Sequence, residues 1–261
     1  MNIQFSFRRF GHVLRWTLAY QMRQLLTLFF VAVVVFAALE MSIFIQAYYD
    51  YLYLKPGLKE AVVSGALRSA ASIGALVGAV MLCVGAAFAF YHLHRKNEGR
   101  RLLMLPATNL EKFLARWVVY VPVLFVLFIA AFVLGDLLRM AIWPVFYDEV
   151  TFPSSIPMFF DTLKALLLPM SARYPIRVFL LWSMFLFFHA LSLFSSVWIG
   201  RLGWLFVAVV FFVLTFGILD NYDGSFTLPV IQLCALILLL IVAAYWLFCR
   251  FPQYKLFHFK D

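Results

Sequence analysis

Trp117–Leu138 reads WVVYVPVLFVLFIAAFVLGDLL, apolar throughout except for Asp136 near its end. At 1.5 Å per residue, a helix of this length covers the roughly 30 Å hydrocarbon core of a bilayer. In lipid the backbone must satisfy its own polar groups, so a continuous apolar run becomes a helix. A membrane barrel would instead show segments of about ten residues with alternating polarity. The pattern recurs before this stretch at Leu25–Tyr48 and Ala70–Leu93. It recurs after it at Val178–Ile199, Leu202–Leu219 and Leu228–Phe248. The expected fold is therefore all-α: a polytopic membrane protein with a bundle of six transmembrane helices across residues 25–248.

Composition agrees. The 261 residues are 66% hydrophobic and 13% charged, with a mean hydropathy of +0.96. Soluble domains hold about half apolar residues and roughly a quarter charged ones. The first span is not read as a cleaved signal peptide. It is long enough to cross, and no small-residue cleavage site follows a short apolar core.

Basic residues set the orientation, because Lys and Arg concentrate in cytoplasmic loops. With the N-terminus inside, 14 of the 21 fall on the cytoplasmic side: Arg8, Arg9, Arg15, Arg23, Arg95, Lys96, Arg100, Arg101, Lys112, Arg116, Arg201, Arg250, Lys255 and Lys260. The other side holds Lys55, Lys59, Arg68, Arg139, Lys164, Arg173 and Arg177. Both termini are expected in the cytoplasm, with 249–261 as a cytoplasmic tail. The net charge of +9 reads as topology and contact with anionic headgroups. The basic residues are scattered over short membrane-proximal segments, which argues against a nucleic-acid partner.

Residues 5–24 precede the first span. Arg8, His12, Arg15 and Arg23 share one stripe of a helical wheel, with Phe10, Val13, Leu14 and Leu18 largely opposite and Trp16 and Tyr20 at a flank. This is the pattern of an amphipathic helix lying in the interface, assigned to residues 1–24. A charged flank that fixes topology is the alternative. In the second span Ala70, Gly74 and Gly78 recur every fourth residue, a spacing that lets helices approach closely. Packing within the subunit is preferred to a dimer contact. The segment from Arg139 to Arg177 is the longest between spans and is expected outside. Its residues 158–168 suit a short helix, too short to cross.

Chemistry-bearing motifs are few. The chain has no GxxxxGK[ST] phosphate loop, no HExxH and no GxSxG. No enzyme activity, metal or cofactor is expected. His92 and His94 lack clustered ligands, and Cys83, Cys234 and Cys249 read as small buried hydrophobes. Within spans, Glu40 and His189 are candidates for a polar pathway, since ionisable groups in membranes are costly. Internal hydrogen bonding is the competing account. Asp136 lies near the outer end of the third span.

The cytoplasmic stretch 94–116 is the most informative. In it, Thr108-x-x-Glu111 fits a capping box, and Pro106 discourages helix immediately before it. A helix should start near Thr108 and run into the third span. Arg100-Arg101 followed by Leu105-Pro106-Ala107-Thr108-Asn109-Leu110-Glu111-Lys112-Phe113, between the second and third spans, resembles the permease subunit of ABC-2 type transporters. It is particularly similar to permease-like proteins of the Bacteroidetes.

The resemblance implies six spans, an amphipathic N-terminal helix and a cytoplasmic element that docks on a separate ATP-binding cassette ATPase. Arg100, Arg101, Leu105, Pro106, Thr108, Glu111 and Lys112 would form that element. It also places the chain in a bacterial inner membrane. One chain of six spans would be half of a pathway, so a second permease subunit, identical or not, is expected, and the expected function is export driven by the ATPase, a direction the sequence itself does not reveal. One departure concerns geometry. The family commonly carries re-entrant helices between the fifth and sixth spans, whereas here only about Asp220–Thr227 lies there. The alternative is a polytopic membrane scaffold or accessory protein that transports nothing.

Overall fold

The computed structural model describes residues 5–90, 104–147, 150–167, 175–199, 205, 207, 209–210 and 236–250. Among these residues all regular structure is helical. We number the helices α1 (Phe7–Tyr53), α2 (Lys59–Phe88), α3 (Asn109–Val118), α4 (Leu124–Phe146), α5 (Ile156–Leu167), α6 (Pro175–Trp198) and α7 (Leu236–Arg250).

Three helical stretches are long and apolar enough to cross a membrane: Phe7–Tyr53, Lys59–Phe88 and Asn109–Phe146. They contain the first and third expected spans and most of the second, whose residues 91–93 lie outside the described residues. Trp182–Trp198 and Leu236–Arg250 are shorter apolar helices at the places of the fourth and sixth. Most of the fifth, Leu202–Leu219, lies outside the described residues.

The N-terminal helix expected over 5–24 is not a separate element. α1 is unbroken over 47 residues, roughly 70 Å long, more than twice the hydrocarbon thickness. The sequence explains this. Residues 18–28 read LAYQMRQLLTL, with no Gly, Asn or Pro to stop a helix. The first stop signal is Lys55-Pro56-Gly57, where a short 3₁₀ turn at Pro56–Leu58 leads into α2.

Asn109–Phe146 is continuous but not uniform. Val119–Val123 widens into a π turn around Pro122. Proline has no N–H to donate and its ring crowds the preceding turn, and a π turn is one way to absorb that defect without breaking the helix. In the segment after α4, Ile156–Leu167 confirms the short helix expected there.

The chain divides into two compact units. One comprises Met1–Gln21, Met81–Leu124 and Arg173–Asp261. Its buried cluster includes Phe187, Phe188, Leu191, Val207, Ile237 and Leu240, with Cys83 packed against it. The other comprises Met22–Val80 and Phe125–Ala172. Here Phe36 meets the rings of Phe128 and Phe132, and Phe159 of α5 stacks on Phe132 with centroids 3.8 Å apart. A second cluster gathers Phe44, Ala47, Ala66, Ala70, Trp143 and Phe152.

The small-residue stripe of α2 is used inside the chain. A Cβ added at Gly74 would overlap the Phe132 ring, and one at Gly78 would overlap Phe128. Within the other unit Gly85 meets Leu124 in the same way. The glycines let bulky rings approach the α2 backbone, as the packing reading expected.

Candidate functional site

The capped turn forms from local sequence. Thr108 is extended (φ −69°, ψ 157°), as an N-cap must be, and α3 begins at Asn109. The Glu111 amide donates to Thr108 Oγ1 at 3.2 Å, and the Thr108 amide donates to Glu111 Oε2 at 2.9 Å. Both halves of the expected capping box are therefore present.

The other carboxylate oxygen makes a contact that the local sequence does not announce. Glu111 Oε1 accepts from the Ser6 amide at 2.7 Å and from Arg9 Nη2 at 3.2 Å. Ser6 stands at the start of α1, its carbonyl taking the first helical bond from Phe10 at 2.9 Å. One carboxylate thus meets the amide-rich beginnings of two helices, where negative charge is favoured. Glu111 is fully buried and stands six residues before the expected span at Trp117. Burial opposes its charge, but the Ser6 and Thr108 amides and the Arg9 guanidinium outweigh this. They hold the carboxyl below its ordinary range.

The inward face of α3 is pinned in the same unit. Arg116 Nη1 donates to the Ala89 carbonyl at 2.9 Å, and its guanidinium lies 5.9 Å from the Phe90 ring centroid. Phe90 stacks on Phe113 at 5.1 Å, and Phe113 meets Tyr245 and Phe248 edge-on. Lys112 is buried as well. Leu105 and Thr108 are half-buried, and Pro106 is exposed. What the turn presents outward is apolar, with Met104 81% and Leu110 40% exposed. Arg100 and Arg101 lie outside the described residues, as do His92 and His94.

The second arrangement of interest belongs to the other unit and surrounds Glu40. Arg139 donates to Asp136 Oδ1 from Nε at 2.9 Å and from Nη2 at 2.7 Å, and Nη2 also reaches the Pro153 carbonyl at 3.0 Å. Its Nε is 3.5 Å from Glu40 Oε2, and its guanidinium lies 4.1 Å from the Phe44 centroid. Ser155 Oγ donates to Glu40 Oε1 at 2.8 Å. Asp136 Oδ2 accepts from Ser154 Oγ at 2.5 Å and from the Ser155 amide at 3.0 Å.

The cluster ties the 150–155 stretch, and with it the start of α5, to α1 and α4. Trp143 Nε1 adds a bond to the Val150 carbonyl at 2.8 Å. Two carboxylates and one guanidinium are removed from water here, a costly arrangement that only mutual pairing sustains. The internal hydrogen-bonding account of Glu40 is thus realised in the structure.

His189 sits in the first-described unit, on α6. It is buried, its ring stacks beside Phe185 at a centroid distance of 6.1 Å, and neither ring nitrogen makes a hydrogen bond of ordinary length and angle. Ser192, Ser195 and Ser196 follow on the same helix, buried, each donating to a carbonyl of its own turn.

Sequence reasoning missed Arg139, Ser154 and Ser155 as partners of Glu40 and Asp136, and Ser6 and Arg9 as partners of Glu111. Asp136 and Arg139 carried a usable signal, since opposite charges three apart on a helix are neighbours. The remaining pairings join distant parts of the chain and carried none. Among the described residues no group of three or more metal-ligating side chains occurs. Comparison with protein-family models, curated proteins and solved structures finds no match to this chain.

Proposed function

We propose that the chain is the transmembrane permease subunit of an ABC-2-like exporter, driven by a separate ATP-binding cassette protein. One observation carries the reading. The Thr108-capped turn is rigidly built from within, yet it turns apolar side chains outward. Glu111, Arg116 and Phe113 are consumed by internal contacts, whereas Met104, Pro106 and Leu110 are left to meet something else. A stiff element with an exposed apolar tip suits the transmission of a partner's movement into the helix that follows it. The similarity of residues 100–113 to the coupling region of such permeases supports the same assignment.

On this reading the bundle has six spans in a bacterial inner membrane and both termini face the cytoplasm. One chain supplies half of a pathway, so a second permease subunit completes it. The chain performs no covalent chemistry. Glu40 and His189 are the polar groups within spans that a pathway would use, Glu40 only when its internal pairing opens.

A photo-crosslinking amino acid at Met104, activated in native membranes, tests the docking surface. The expected product is an adduct with a chain bearing a GxxxxGK[ST] phosphate loop. Adducts confined to lipid or to a second copy of this chain would refute the proposal.

A further inference from the structure

The cluster around Glu40 holds a charge imbalance that its ion pairs leave unsolved. Glu40 and Asp136 face a single guanidinium, Arg139, so with both acids ionised one negative charge would be in excess. All three residues are at most 2% exposed. An unbalanced charge so far from water is costly, and a carboxyl in that position takes up a proton instead. The hydrogen bonds show which acid takes it. Asp136 accepts from Arg139 Nε and Nη2, from Ser154 Oγ and from the Ser155 amide. Every one of these donors favours its ionised form. Glu40 accepts only from Ser155 Oγ, at Oε1. Its Oε2 makes no hydrogen bond among the described residues. Arg139 Nε is 3.5 Å from it, with its N–H already given to Asp136 at 2.9 Å. The two carboxyls are within hydrogen-bonding reach of each other. Two carboxylates have no hydrogen to place between them, whereas a proton on Glu40 Oε2 supplies one and removes the excess charge at once.

We propose that Glu40 is a proton-binding site, which carries a proton at neutral pH, donates it to Asp136 and thereby latches the 150–155 stretch onto α1 and α4. Ser155 is the bolt, since its hydroxyl is held by Glu40 and its amide by Asp136. Loss of the proton sets two buried negative charges side by side, and the stretch that joins them must let go. The sign of the pH dependence follows. Unfolded, the Glu40 carboxyl is ionised at neutral pH, so a proton held only by the folded chain gives stability that is lost as pH rises. Among the described residues the other charged groups on the elements packed here stand apart. Asp50 on α1, Glu60 and Arg68 on α2, and Asp161 and Lys164 on α5 are exposed, and Lys59 is turned to the Tyr51 ring at 4.3 Å.

The test uses the purified full chain in a neutral detergent, read by infrared spectroscopy. A protonated carboxyl has a carbonyl stretch set apart from those of carboxylates and amides. Wild type at neutral pH should show such a band, and Glu40→Gln should lose it. Ser155→Ala should keep the band but move it to higher frequency, because the Glu40 carbonyl oxygen loses its donor. Raising the pH should remove the wild-type band and, with it, the protection of 150–155 against hydrogen exchange, beyond the acceleration that base alone gives. Glu40→Gln, neutral at every pH, should keep that protection. A wild type without the band at neutral pH overturns the proposal, as does a band that neither variant alters. A 150–155 stretch that stays protected after the band is lost overturns the latch. A wild type that lacks the band but is stabilised by sodium over choline salts overturns the proton assignment and gives the site to a sodium ion. Wild type and Ser155→Ala both retain Glu40, so these readings stand even if Glu40→Gln folds poorly.

Discussion

At the scale of single residues, three carboxylates carry most of the argument. Thr108→Ala removes one cap and should cost about 0.5–2 kcal/mol. Glu111→Ala should cost more, because it leaves the Ser6 and Thr108 amides without their acceptor, at about 1–3 kcal/mol each when buried. Thermal melts in detergent compare the two, and equal losses would contradict the shared-cap account. The pH dependence has a fixed sign. The Glu111 carboxyl is held below its ordinary range, so its stabilisation is complete at neutral pH. It is lost as acidification passes through the folded-state value, and Glu111→Gln should abolish that step. At the other cluster, Arg139→Met should destabilise by about 3–5 kcal/mol, since Asp136 is left as an uncompensated buried charge. The triple change Arg139→Met, Asp136→Leu and Glu40→Leu should recover much of that loss. The capping box was legible because its two residues are three apart and its chemistry is local. The clasp from Ser6 to Glu111 was not, because 105 residues separate them and no spacing rule covers such a distance.

At the scale of elements, apolar runs located the helices and the stop signals located only some of their ends. Lys55-Pro56-Gly57 closes α1 as punctuation should. Its amphipathic opening suggested a separate helix, because a change of surface character was read as a change of element. No residue there breaks the helical hydrogen bonding, so the character changes while the helix continues. The α2 glycines show the opposite case, where spacing alone pointed to close packing and the structure supplies the rings that fill it. Gly78→Leu should destabilise by about 1–3 kcal/mol, since Phe128 is held between Phe36 and Phe159 and has little room to withdraw. Gly65→Leu, with open space around it, should stay near wild type in the same melt. Comparable losses at both positions would mean that ring packing does not set the cost, since helix propensity favours Leu over Gly at either site.

At the scale of the whole molecule, hydropathy made an all-helical, membrane-crossing class legible, because lipid permits few other solutions for so apolar a chain. The buried polar clusters were not legible, since they arise where separate helices meet. The six-span arrangement predicts that reporter tags at Lys96, Arg201 and Lys260 face the cytoplasm and that tags at Lys55, Glu149 and Asp223 face outward. A cytoplasmic signal at Glu149 would break the arrangement. The coupling claim is tested most directly by affinity capture of the full chain from its native membranes in mild detergent, with ATP hydrolysis assayed in the captured material. Wild type should retain an ATP-binding cassette protein and its hydrolysis. Met104→Asp with Leu110→Asp should insert equally well but retain neither, because both side chains are exposed and only the docking tip is altered. Wild type that captures no ATPase, or a variant that captures it as fully as wild type, would contradict the account.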